Sequence, residues 1–75
     1  MTTEEIALKI EEAGKRNKKT TMFHFLSLFY ADEFREYDAV QFCRDVGMRD
    51  SFATEFRKMF SLSQMIKDEG YIIKK

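Results

Sequence analysis

The chain predicts a small all-α domain, and three observations carry that prediction. Apolar residues return at helical spacing through four separate stretches. No proline occurs in 75 residues, so nothing breaks those runs. The three glycines, Gly14, Gly47 and Gly70, each fall where one of the stretches ends. Residues 1–75 make one domain, near the small end of what folds alone. Apolar residues make up 44% and include eight Phe, enough for a dense core.

The first helix is expected over about residues 3–13. Thr2 and Glu5 have the spacing of a capping box, with hydroxyl and carboxylate each serving the other residue's amide. Ile6, Ala7, Ile10 and Ala13 then form a thin apolar stripe. A helix with so thin a stripe docks late or helps an oligomer form. Glu5 precedes Lys9 by four residues, the favourable order for an exposed pair.

Residues 15–19, KRNKK, form a basic loop with four cations. Such a loop either contacts phosphate or serves as a solvated connector that opposes the negative end of the first helix. Formal net charge is zero, which counts against indiscriminate nucleic-acid binding. The balance is uneven, however. The first thirteen residues set four Glu against Lys9, and residues 32–38 set four carboxylates against Arg35. A neutral total therefore hides a local basic patch.

Residues 22–30, MFHFLSLFY, are the most apolar stretch and are read as the central helix. Met22, Phe25, Leu26 and Phe29 share one face, with Tyr30 beside them. Phe23 and Leu28 lie outside that stripe, leaving only His24 and Ser27 polar. A helix apolar nearly all round is buried on several sides. It is too short to cross a membrane, which takes roughly 20 apolar residues. Thr20 or Thr21 is expected to cap it. It should run to Asp32 or Glu33 and fray there, since carboxylates oppose the dipole at a helix C-terminus.

Asp38 opens the next helix, with Gln41 three residues later in an aspartate version of the capping box. Ala39, Val40, Phe42, Cys43 and Val46 share its inner face, and Gly47 ends it. Asp50 or Ser51 is expected to cap the last helix, whose inner face is Phe52, Phe56, Met59, Phe60, Ser63 and Ile66. Residues 71–73, Tyr-Ile-Ile, suit a short C-terminal strand, a truncated wing.

Residues 39–58 combine two helices with a short glycine-containing turn. A small residue, Cys43, sits where the second helix crosses the first. Gly47 lies four residues later, where the chain leaves the first helix with a positive φ. Phe42, Val46, Met48, Ala53 and Phe56 lock the pair. On Cys43, Gly47 and Met48 the segment resembles the helix-turn-helix DNA-binding family, in the style of phage and bacterial repressors. The resemblance implies a helix-turn-helix core over residues 20–73, preceded by the extra N-terminal helix over 1–14.

It also implies double-stranded DNA as partner, with the helix from residue 50 onward in the major groove. Carried across, Arg49, Asp50, Ser51, Thr54, Glu55 and Lys58 face the groove. Arg57 is suited to a phosphate, Lys18 and Lys19 add basic contacts, and Gln41 approaches the backbone. Three departures stand out. Cys43 replaces the usual Ala or Gly. Phe52 occupies a position the family more often leaves polar. Asp50 and Glu55 carry the wrong charge for DNA.

Other chemistry finds little support. His24 is the only histidine and lacks a second ligand in view, so it is expected at a helix edge with a backbone or water partner. The spacing of the carboxylates in residues 32–38 matches no calcium loop. Cys43 has no neighbouring histidine and is expected to be a packing residue. No glycine-rich phosphate loop or nucleophile elbow is present. The expectation is a non-enzymatic domain with no cofactor and no metal. One cysteine excludes an internal disulfide, which suits a reducing setting, cytoplasmic or nucleoid-associated.

Phe23, Leu28, Phe34, Leu62, Met65 and Tyr71 exceed what three short helices need inside. Either the N-terminal helix covers them, or they form a homodimer or partner surface. Two functions therefore compete: a sequence-specific DNA-binding domain of a transcription regulator, and a helical interaction or oligomerisation module with no nucleic-acid binding.

Overall fold

The computed structural model describes residues 1–74. Four α-helices follow one another: α1 (Thr3–Gly14), α2 (Lys19–Phe29), α3 (Ala39–Asp45) and α4 (Ala53–Asp68). A single 3-10 turn at Ala31–Phe34 leads into the segment before α3, and another at Asp50–Phe52 runs directly into α4. The fold is all-α, with no strand among the described residues. Residues 71–73 do not form the expected strand, because no second strand is there to accept their backbone bonds. Tyr71 and Ile72 remain 71% and 82% exposed.

The capping box of α1 forms as its sequence demands. The Glu5 amide donates to Thr2 Oγ1 at 3.1 Å, and the Thr2 amide donates to Glu5 Oε1 at 3.0 Å. The bond to the Thr2 backbone holds the Glu5 carboxyl below its usual range. The thin stripe is sufficient for docking. Ile6, Ile10 and Ala13 are buried, and α1 packs on α2 and α3 within the monomer. Each buried isoleucine contributes about 1.5–3 kcal/mol of transfer free energy.

Gly14 is the last residue of α1, but the left-handed exit lies further on, at Asn17 with φ of 57°. There the Asn17 amide donates to the Gly14 carbonyl and the Lys18 amide to the Ala13 carbonyl, a Schellman pattern. This turn delivers the chain straight into α2. The basic loop is accordingly shorter than expected: Lys19 already belongs to α2, and no side chain caps it, neither Thr20 nor Thr21.

α2 turns a different face inward from the one its own periodicity suggests. Phe23, Leu26 and Ser27 are buried, while Phe25 is 49% exposed and stacks on Phe29 at 4.6 Å. In a helix apolar nearly all round, the neighbours select the inner face; here α2 packs on α1 and α4, and the Phe23 ring meets those of Phe42 and Phe52. α2 ends at Phe29 rather than at Asp32, and the acidic segment continues as the 3-10 turn. Phe34 of that turn is buried beside Phe42.

α3 is short but carries the centre of the core. Phe42 is fully buried, with ring centroids 5.0 Å from Phe34 and 4.4 Å from Phe56. Asp38 caps α3 by accepting from the Gln41 amide at 2.9 Å. Only half the box forms, since the Gln41 side chain donates forward to Asp45 at 2.7 Å. α4 buries Ala53, Phe56 and Ser63, with Met59, Phe60 and Ile66 half-buried beside them. Neither Asp50 nor Ser51 caps it; the Asp50–Phe52 turn winds directly into the helix.

Candidate nucleic-acid interface

α3, the turn at Gly47 and α4 form the helix-turn-helix unit. Gly47 has φ of +80°. Its amide donates to the Arg44 carbonyl at 3.2 Å and the Met48 amide to the Cys43 carbonyl at 2.8 Å. This second Schellman turn sends the chain back across α3 and buries Met48. Cys43 is fully buried at the crossing, where desolvation raises its thiol pKa. It packs, and a buried thiol of this kind is a poor nucleophile. Phe52 explains its own departure from a polar residue: it is half-buried, with its edge against the Phe23 ring at 5.5 Å.

The side chains singled out for DNA all reach the surface. Arg49, Ser51, Thr54, Arg57 and Lys58 are exposed along the turn and the first half of α4, and so are Lys18 and Lys19 at the start of α2. The fold brings two of these groups together. Lys19 and Thr20 line one cleft with Gly47, Met48, Arg49 and Phe52, so the basic segment flanks a turn far from it in sequence. Arg57 lies elsewhere, in a cleft at the start of α3 with Arg35 and Asp38. Among the described residues Lys18, Lys19, Arg49 and Arg57 make no ion pair within 4 Å.

The acidic side chains of the unit have partners inside the protein. The Arg44 guanidinium donates to both Asp50 oxygens, at 3.0 and 2.8 Å, and holds that carboxyl below its usual range. Glu55 accepts from Lys58 at 3.2 Å and lies 3.1 Å from His24 Nε2; both bonds lower its pKa, Lys58 the more. Asp45 accepts from the Tyr37 hydroxyl and from Gln41, with the same effect. Asp50 and Glu55 therefore do not present bare charge beside Arg49 and Thr54. Gln41 is exposed, but its amide is committed to Asp45.

Sequence reasoning missed these pairings where they span the fold. His24 sits at a helix edge as expected, but its partner is the Glu55 carboxylate, 31 residues away, rather than backbone or water. Lys67 likewise pairs with Asp32. Glu55 lies near the start of α4 and Lys67 near its end, while His24 precedes Asp32, so the two segments run side by side in the same direction. Arg35 and Thr20 flank the same basic side chains and were legible only as members of a turn and a cap.

The surplus apolar residues divide. Phe23 and Phe34 are core and form no partner surface; Leu28 is half-buried. They are covered because α1 docks and because α2 turns Phe23 inward. Leu62, Met65 and Tyr71 stay exposed. No group of three metal-binding side chains occurs among the described residues, and none of the helices described is long and apolar enough to cross a membrane.

Four helices, of which α3 and α4 form a glycine-turned pair, define a helix-turn-helix domain. The model of the family described as HTH-like domain matches residues 2–69, and the chain belongs to that family. No curated protein and no solved structure matches it.

Proposed function

We propose that this domain binds double-stranded DNA in a sequence-specific way, as part of a transcription regulator, with the start of α4 in the major groove. One observation carries the reading. The turn and the outer face of α4 expose Arg49, Ser51, Thr54, Arg57 and Lys58, while the neighbouring carboxylates are occupied by Arg44, His24 and Lys58. Arg49 and Thr54 have the chemistry to read base edges, since Arg suits guanine and Thr suits several bases. Arg57, Lys18 and Lys19 serve phosphates, and Lys19 beside Arg49 extends the grip past the turn. The site for such a protein is wherever DNA is held, nucleoid or cytoplasm.

Anisotropy of a labelled random duplex, titrated with protein at several salt concentrations, tests this. Each phosphate neutralised contributes about 0.9 to the slope of log affinity against log salt. Three to four contacts predict a slope of roughly −3 to −4. Arg49→Ala and Arg57→Ala should each weaken binding without lowering helicity, and Arg57→Ala should flatten the slope by about one unit. Absence of binding at low salt and high micromolar protein removes this reading. It would leave the interaction module, which the exposed Leu62, Met65 and Tyr71 favour.

A further inference from the structure

The exposed side of α4 carries a second pattern, whose apolar part, Leu62 and Met65, DNA binding does not use; its Lys58 belongs to the DNA-facing set and pairs with Glu55 on the same helix. Lys58, Leu62, Met65 and Glu69 follow one another at spacings of four, three and four, so they form one straight stripe along the helix and its last turn. All four are exposed; Leu62 is 43% and Met65 56% exposed, large values for apolar side chains within a helix. The stripe keeps its pattern when reversed: a charge, two apolar residues, then the opposite charge.

We infer that this stripe is the self-complementary contact of a two-fold dimer, with α4 of one copy lying antiparallel to α4 of a second. When Leu62 faces Met65 of the second copy, Lys58 faces the second copy's Glu69, and symmetry makes each contact twice. A two-fold interface must use one patch on both copies, and this patch satisfies itself in charge and in apolar surface. Zero net charge adds no long-range repulsion between copies.

A second geometric fact supports the same arrangement. At about 100° per residue, Arg57 lies roughly a quarter turn from the stripe, Thr54 and Ser61 nearer its edge on the same side. The two-fold axis of an antiparallel helix pair stands perpendicular to the plane of the pair. It therefore turns both reading faces toward the same side. At about 1.5 Å per residue the two Thr54 positions are roughly 28 Å apart along the axis, and a helix separation of about 9 Å brings this to roughly 30 Å. Half-sites one DNA turn apart are roughly 34–36 Å apart, a few ångströms more than this separation. This spacing rests on the DNA reading; the dimer itself does not.

Sedimentation equilibrium of the full chain without DNA tests the dimer, from low micromolar to submillimolar protein. A monomer–dimer equilibrium is expected, with Met65→Asp monomeric throughout at unchanged helicity. Glu69→Lys, which breaks no ion pair among the described residues of the monomer, should weaken association about tenfold by setting like charges together. Combining it with Lys58→Glu should recover most of that loss, measured against the Lys58→Glu single variant because that change also removes the Lys58 pair with Glu55. A parent chain that stays monomeric overturns the proposal. So does a Glu69→Lys protein that associates like the parent, or a double variant that recovers nothing. Because no DNA is present, these outcomes are independent of the anisotropy titration. A dimer without DNA affinity refutes the DNA reading alone, and a DNA-binding monomer refutes the dimer alone.

Discussion

Gly47 and Gly14 are the same residue type at helix ends, yet they carry opposite expectations. Gly47 holds φ of +80°, and an added Cβ would touch nothing within 4 Å. Its requirement is therefore conformational: a left-handed L residue costs roughly 1–2 kcal/mol. Gly14 has no such φ, and its Cβ would make an ordinary contact with Lys19 Cβ at 3.9 Å. Alanine there gains helix propensity and loses unfolded-state freedom, worth about 0.5–1 kcal/mol. Thermal melts should show Gly47→Ala lowered and Gly14→Ala raised, with about 4–8 °C per kcal/mol for a chain of this length. A fall in both would mean that Gly14, and not Asn17, sets the exit of α1. The sequence places both glycines at helix ends, and both are there. Asn17 is harder to foresee, because Asn adopts the left-handed region only in some contexts, and nothing local to KRNKK announces which residue will do so.

At the scale of elements, what was legible depended on contrast between faces. α3 has one apolar and one charged side, so its sequence suffices to place Phe42, Cys43 and Val46 inside. α2 has almost no polar side, and its stripe of Met22, Phe25, Leu26 and Phe29 rests on periodicity alone. The packing chose Phe23 and Leu26 with Ser27, whose hydroxyl is buried with no hydrogen-bond partner among the described residues. Only the positions of α1 and α4 decide this, and those depend on contacts distant in sequence, such as His24 with Glu55. The two assignments make opposite forecasts. Phe23, between Phe42 and Phe52 and fully buried, should cost about 3–5 kcal/mol on truncation to alanine. Phe25→Ala, at the half-open surface, should cost under about 1 kcal/mol. Urea melts of the two variants distinguish them, and a larger loss at Phe25 would return α2 to the rotation expected from its sequence. The candidate site was more legible than α2, since Arg49 to Lys58 follow one local motif. Its neutralised carboxylates were less so: Lys58 is a local partner of Glu55, but Arg44 reaches Asp50 across a turn and His24 reaches Glu55 from another helix.

For the molecule as a whole, acid sensitivity follows from where its carboxylates are held. Glu5, Asp45, Asp50 and Glu55 all titrate below their ordinary range, through bonds to Thr2, Tyr37, Arg44 and Lys58 respectively. In the unfolded chain the same groups bind protons near pH 4. Below that pH the unfolded state takes up protons that the native state resists, so protonation favours unfolding. The stabilisation these groups supply is fully present above about pH 4–5 and is lost as pH falls through their lowered native values. Three of the four are exposed and Glu55 is half-buried, so salt screens each contribution and the effect is distributed rather than owned by one pair. Net charge adds to the trend. A chain neutral near pH 7 with thirteen Lys and Arg becomes strongly cationic once its thirteen Asp and Glu are protonated, and the compact state then repels itself. The melting temperature should accordingly be flat from about pH 7 to 5 and fall below about pH 4. Asp50→Asn should show a shallower fall than the parent, since it removes one depressed carboxyl, while Arg44 loses its charged partner at every pH. A melting temperature that rises on acidification would overturn the depressed carboxyls as a set, and an Asp50→Asn profile as steep as the parent's would show that the Arg44 and Asp50 pair does not persist in solution.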